Sequence, residues 1–203
     1  MSDYVYREHR AGAPGAPLLF VFHGTGGDET QFFDFGRQAL PQASIVSPRG
    51  DVSEHGALRF FRRTGEGVYD RDDLAKRTAA MAAFVEARVA DLEPSRVLGL
   101  GFSNGANILA SVMLEQGALF DAAVLMHPLI PWEPAPRDDL AGRDVLITAG
   151  RRDPLCPPAL SQALADYFER QGSAVEMVWH DGGHEIRPVE VQAAVRVLTA
   201  AAG

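Results

Sequence analysis

The chain has 203 residues, of which 46% are hydrophobic and 23% charged, a composition typical of a globular domain. Its length predicts one domain, residues 1–203, with room for a sizeable core. The formal net charge of −8 argues against a nucleic-acid partner, because binding to phosphates requires an excess of cations. With Cys156 as its one cysteine, the chain can form neither an intrachain disulfide nor a cysteine-based zinc cluster.

The longest apolar run near the start, residues 18–22, is too short for a signal peptide or a membrane span. The sequence therefore predicts a cytoplasmic protein without a membrane partner.

Seven short segments are predicted as strands. In chain order they are 4–8, 18–22, 44–47, 96–100, 122–126, 144–148 and 174–179. The inner ones are nearly continuous runs of valine, leucine and isoleucine, which is typical of parallel strands covered on both faces.

Helical patterns lie between these strands. The clearest helix spans about 73–92, where apolar residues recur every three or four positions, and Asp72 or Asp73 is its expected N-cap. A second helix spans about 159–171 and ends before Gly172, a favourable residue after a helix C-terminus.

The last predicted helix begins at Pro188 and turns Val191, Val195 and Leu198 toward the core. Alternating strands and helices predict an α/β fold, a mostly parallel sheet of about seven strands flanked by helices. Functional residues should follow the carboxyl ends of the strands. At 203 residues, no insertion is long enough for a separate cap domain.

The letters GFSNG at 101–105 form a G-x-S-x-G motif between a predicted strand and a predicted helix. A sharp turn at this place would expose the hydroxyl of Ser103 at the positive end of the helix, so we interpret Ser103 as a nucleophile. The alternative is a glycine-rich turn without chemistry. A dinucleotide-binding loop is disfavoured, because the last glycine of its pattern is replaced by Asn104.

A serine nucleophile needs a base, and the base needs an acid that orients it. His184 lies in a glycine turn after the last predicted strand and is the candidate base. Asp153 is the carboxylate between the preceding strand and the next helix, and it is the candidate acid. Glu133 is the alternative acid, and a solvated turn aspartate is the alternative reading of Asp153. His180 is expected to pack or to face solvent.

The letters HGTGG at 23–27 resemble the glycine loop that supplies one backbone N–H to an oxyanion. We expect Thr25 to supply that donor and Asn104 the second.

These motifs together resemble the small bacterial phospholipase/carboxylesterase family of α/β-hydrolases, which includes the acyl-protein thioesterases. Segments 60–63, 66–70 and 103–107 resemble a branch of this family, some members of which are linked with ring-cleaving dioxygenases and hydroquinone resistance. The resemblance implies hydrolysis of a small-molecule carboxylic ester through an acyl-enzyme, without metal or organic cofactor, and it is compatible with a homodimer. Dienelactone hydrolases are similar in fold but carry cysteine at the elbow, where this chain has Ser103.

The segment 49–70 follows a strand and should border the site. It carries Arg59, Phe60 and Arg62, which we interpret, together with His127, as contacts of a short aromatic-walled pocket for polar or anionic esters. Alternatively, the phenylalanines pack beneath the loop and the arginines pair with carboxylates. The predicted function is a serine carboxylesterase for short-chain or small aromatic esters. The alternatives are an acyl-protein thioesterase or lysophospholipase, or a non-catalytic binding protein of the same fold.

Overall fold

The computed structural model describes residues 4–65 and 67–203. Its strands are β1 (Tyr6–His9), β2 (Leu18–Phe22), β3 (Ser44–Pro48), β4 (Val52–Glu54), β5 (Ala57–Arg59), β6 (Arg63–Gly65), β7 (Val68–Tyr69), β8 (Val97–Phe102), β9 (Ala122–Met126), β10 (Asp144–Gly150) and β11 (Ala174–His180). Its α-helices are α1 (Phe33–Ala39), α2 (Arg71–Leu92), α3 (Asn104–Glu115), α4 (Pro158–Arg170) and α5 (Pro188–Ala202).

Seven strands form one sheet in the order β1-β3-β2-β8-β9-β10-β11. All neighbours are parallel except β1, which pairs antiparallel with β3 at the edge. One core lies between this sheet and helices α2, α3 and α4, and a second lies between the sheet and helices α1 and α5. The predicted α/β architecture with a mostly parallel seven-stranded sheet is confirmed.

The segment 49–70 contains two small hairpins, β4–β5 and β6–β7, which the sequence did not predict. Helix α2 begins two residues earlier than expected, and its N-cap is Asp70, whose carboxylate accepts the Asp73 N–H at 3.0 Å. The predicted caps Asp72 and Asp73 are therefore wrong. Asp73 instead accepts the Arg62 N–H at 2.7 Å, which ties the start of α2 to the hairpins.

Helix α5 buries Leu198 as predicted, but Val195 is only partly buried and the first predicted inward residue is not buried. Val191 is exposed, whereas Glu190, Ala194 and Leu198 are buried. The buried face follows helical spacing, but a carboxylate occupies its first position.

No helix within 4–65 or 67–203 is long and apolar enough to span a membrane.

Candidate active site

The turn between β8 and α3 holds Ser103 with φ 52° and ψ −116°. A positive φ is unfavourable for a residue other than glycine and costs roughly 1–3 kcal/mol. The glycines on either side make the turn possible, because a side chain on Gly101 would collide with the backbone of Gly105, and one on Gly105 with the backbone of Phe22. The residues of the GFSNG motif thus form the sharp strand-to-helix turn that the sequence predicts.

Ser103, His184 and Asp153 lie in a continuous hydrogen-bonded chain. The Ser103 Oγ is 2.8 Å from His184 Nε2, and His184 Nδ1 is 2.7 Å from Asp153 Oδ2. These residues come from the ends of β8, β10 and β11, as expected for a parallel sheet. The alternative acid, Glu133, lines separate clefts beside Trp132.

The Asp153 side chain is fully buried. Its Oδ1 accepts the N–H groups of Leu155 and Cys156, at 2.8 and 2.9 Å. Burial raises the pKa of Asp153, but hydrogen bonds from His127, the Cys156 N–H and His184 lower it more, so the pKa lies below its ordinary value. Asp153 is therefore a carboxylate when it faces His184.

Thr25 and Asn104 both line the cavity in front of Ser103. In the part of the chain that the structure describes, the Thr25 N–H has no partner, while the N–H groups of glycines 24, 26 and 27 all bond elsewhere. Asn104 is the first residue of α3, whose first N–H groups have no partner within the helix. Among the described residues, the N–H groups of Thr25 and Asn104 are thus both unpaired, and both residues line the cavity that Ser103 also lines.

Arg59 supports this arrangement from the cavity wall. Its guanidinium donates to Thr25 Oγ1 at 3.0 Å and pairs with Glu54 at 3.3 Å, and the residue is only 5% exposed. Arg63, also on the wall, pairs with Glu54 at 3.0 Å. Both arginines therefore pair with a carboxylate, which is the alternative interpretation given for the arginines of this segment.

Three of the four predicted substrate contacts do not line the cavity. Phe60 is fully buried against Phe22 and His23. Arg62 faces a separate cleft beside β4. His127 is fully buried behind Asp153.

The cavity in front of Ser103 and His184 has a volume of about 280 Å³. Its other lining residues are Thr25, Arg59, Arg63, Gly67, Tyr69, Phe102, Asn104, Asn107, Leu129, Leu155 and Cys156. Cys156 donates its S–H to the backbone oxygen of His127 at 3.2 Å. Burial raises the pKa of the Cys156 thiol well above its ordinary value, so it stays protonated.

Behind Asp153 lies a buried polar cluster that the sequence analysis missed. His127 Nδ1 is 2.7 Å from Asp153 Oδ2, and His127 Nε2 is 3.0 Å from Glu190 Oε1. Glu190 Oε2 is also 3.2 Å from His180 Nε2. The sequence carries no signal for Glu190, because a carboxylate in an amphipathic helix is expected to face solvent.

The ligand-type atoms of His127, His180 and Glu190 lie close enough together to suggest a metal site. A histidine that binds a metal through Nε2 carries its proton on Nδ1. The Nδ1 of His180 instead accepts the Gly182 N–H at 3.0 Å, so the proton of a neutral His180 ring is on Nε2. Within the described residues, this cluster fits a hydrogen-bonded network rather than a metal ion.

Comparison with known proteins places these features in a family. The model of the dienelactone hydrolase family matches residues 59–185. A relative named as a hydrolase, MhqD of Bacillus subtilis (strain 168), is 38% identical over 179 residues, which cover 87% of this chain and 90% of MhqD.

Among solved structures, the protein Atu2452 of unknown function from Agrobacterium tumefaciens str. C58 is 59% identical, with a TM-score of 0.92, and the match covers 98% of this chain and 97% of that one. A carboxylesterase of Bacillus cereus is 34% identical, with a TM-score of 0.90 and coverage of 98% and 95%. The extent of these matches shows that the chain belongs to the dienelactone hydrolase family of α/β-hydrolases.

Proposed function

We propose that the protein is a serine carboxylesterase that hydrolyses small carboxylic esters through an acyl-enzyme intermediate. The observation that carries the proposal is the chain from Ser103 Oγ through His184 to Asp153, with both links between 2.7 and 2.8 Å. The likeness to the Bacillus cereus carboxylesterase supports an ester as the substrate.

In the first half of the reaction, His184 Nε2 removes the hydroxyl proton of Ser103 as Oγ attacks the ester carbonyl carbon. The carbonyl oxygen becomes an oxyanion, and the N–H groups of Thr25 and Asn104 stabilise it. When the tetrahedral intermediate collapses, the C–O bond to the alcohol breaks and His184 returns the proton to the departing oxygen.

In the second half, water replaces the alcohol. His184 takes a proton from the water, the hydroxide adds to the acyl carbon, and the carboxylic acid leaves as Ser103 recovers its proton. Asp153 accepts the Nδ1–H of His184 throughout, which keeps the ring in the required tautomer and stabilises its charged form.

Ser103, rather than Cys156, is the proposed nucleophile. The Cys156 thiol is bonded to the His127 carbonyl and has a raised pKa, so it supplies no thiolate at neutral pH.

The test is Ser103→Ala. We expect it to lower kcat on p-nitrophenyl butyrate by about 10⁴–10⁶-fold, because the variant lacks the attacking oxygen. A fluorophosphonate probe should label the wild-type protein at Ser103, as mapped by mass spectrometry. Ser53→Ala, an exposed serine in β4, is the matched control and should keep both activity and labelling. Labelling at another residue, or more than about a tenth of the rate in Ser103→Ala, would contradict the proposal.

A further inference from the structure

His127 is held in an unfavourable backbone conformation at the end of β9. Its φ is 51°, its side chain is completely buried, and its N–H donates to the Thr148 oxygen at 2.8 Å. A positive φ costs free energy in residues other than glycine, and where such a residue is buried it is often part of a functional site. Because its side chain is buried, His127 cannot touch a substrate. Any functional role of His127 must therefore act through the residues that it contacts.

Both carboxylates beside His127 are fully provided with donors. Asp153 faces four: the ring N–H groups of His127 and His184 and two backbone N–H groups. Glu190 also faces four. They are the Thr148 hydroxyl at 2.5 Å, the Arg187 N–H at 2.6 Å, and the Nε2 atoms of His127 and His180.

This arrangement fixes where the protons lie. A carboxylate only accepts, so His127 must carry a proton on Nδ1 toward Asp153 and another on Nε2 toward Glu190. His180 has one proton for this network, on Nε2, because its Nδ1 accepts the Gly182 N–H. With Asp153 and Glu190 both ionised, each of these contacts is a hydrogen bond only if His127 is a cation. The Nε2 atoms of His127 and His180, which lie 3.4 Å apart, are then two donors that both point to Glu190.

The pKa directions of His127 and Glu190 agree with a cationic His127 beside an anionic Glu190. Burial lowers the pKa of His127, but the bonds to Glu190 and Asp153 raise it more, so the pKa lies above its ordinary value. Burial likewise raises the pKa of Glu190, and the bonds from His127 and Thr148 bring it below its ordinary value. The other titratable groups facing His127 are His180, His184 and the Cys156 thiol.

We propose that His127 and Glu190 are a buried cation–anion pair that positions Asp153 for His184 and reduces the share of the Asp153 charge that His184 experiences. Both histidines bond to the same oxygen, Oδ2. The His127 cation therefore offsets part of the charge that would favour a protonated His184, and Glu190 keeps His127 charged. The inference rests on the proposed function, in which His184 must be neutral to accept the Ser103 proton.

The test is His127→Asn, with the pH profile of kcat/KM as its readout. Asparagine tolerates a positive φ and keeps one donor for Asp153, but it removes the cation. We expect the acid-side midpoint of the profile to rise by roughly one pH unit, because protonated His184 is then more favourable. His55→Asn is the matched control: His55 is exposed and also has a φ of 51°, so that profile should not move.

Glu190→Gln tests the second member of the pair. Without the Glu190 anion, the charged form of His127 is less stable. The acid-side midpoint of the kcat/KM profile should therefore rise, as in His127→Asn. A purely structural role would lower the rate in both variants and leave the midpoint in place, and that result would overturn the proposal.

A second measurement does not depend on activity. In the ¹⁵N spectrum of Ser103→Ala, both ring nitrogens of His127 should be protonated between about pH 6 and 8, with the assignment made by comparison with His127→Asn. An unprotonated nitrogen on that ring would overturn the inference even if Ser103→Ala abolishes hydrolysis. If Ser103→Ala stays active while the ring is doubly protonated, the proposed function fails but the buried pair stands.

Discussion

Asp153 illustrates how one residue acquires its role from its contacts. The sequence offers it and Glu133 as acids, and the structure brings only Asp153 into contact with His184. The Asp153 Oδ2 accepts hydrogen bonds from the imidazoles of His127 and His184. Replacing that oxygen with an amide nitrogen would place an N–H donor opposite the N–H donors of both rings.

We therefore expect Asp153→Asn to lower kcat by about 10³–10⁴-fold, because His184 would lose its tautomer control and its charge partner. The measurement is steady-state hydrolysis of p-nitrophenyl butyrate, with circular dichroism to confirm the fold. Glu133→Gln is the control and should stay within about twofold of wild type. If Glu133→Gln lowered kcat more than Asp153→Asn, the acid would be Glu133, which follows the preceding strand.

Individual residues differ in how far the sequence predicts their roles. Ser103, Asp153 and His184 could be proposed from a motif and its chain order. The buried position of Glu190 could not be predicted, because a carboxylate in an amphipathic helix is expected to face solvent. Only the tertiary structure brings His127 and His180 against it and makes its burial favourable.

At the scale of elements, the inner strands could be predicted to within about two residues because both of their faces are buried. The two hairpins in 49–70 and the helix α1 were missed. Strands of two or three residues and a helix of seven carry too few positions for a period to appear. The missed hairpins matter most, since they supply Arg59, Arg63 and Tyr69 to the cavity.

The N-terminus of α2 provides a test at this scale. Asp70→Ala should lower the free energy of unfolding by about 1 kcal/mol, because the Asp73 N–H would lose its acceptor. Urea denaturation measures the difference. Asp72→Ala, on an exposed residue of the same turn, removes a charge but no cap and should cost less. Equal losses would mean that the charge of the first turn, not the cap, stabilises the helix.

At the scale of the whole molecule, the fold sets the size of the cavity in front of Ser103. The described residues contain no inserted cap domain, and the two hairpins cover the carboxyl edge of the sheet directly. The resulting cavity of about 280 Å³ lies just below the usual range for small-ligand pockets, roughly 300–1,000 Å³. Phe102, Leu129 and Leu155 supply its apolar wall.

This geometry predicts a preference for short acyl groups. Each methylene that enters the cavity gains about 0.8 kcal/mol from burial, but methylenes that extend beyond the cavity stay in water and gain little. We expect kcat/KM for p-nitrophenyl esters of about two to six carbons to exceed that for twelve carbons at least roughly tenfold. Ser103→Ala, measured in parallel, corrects for background hydrolysis. Faster turnover of palmitoyl than butyryl esters would contradict the short pocket and favour the acyl-protein thioesterase or lysophospholipase alternative, because only a site that accommodates the long chain could convert its extra burial into rate.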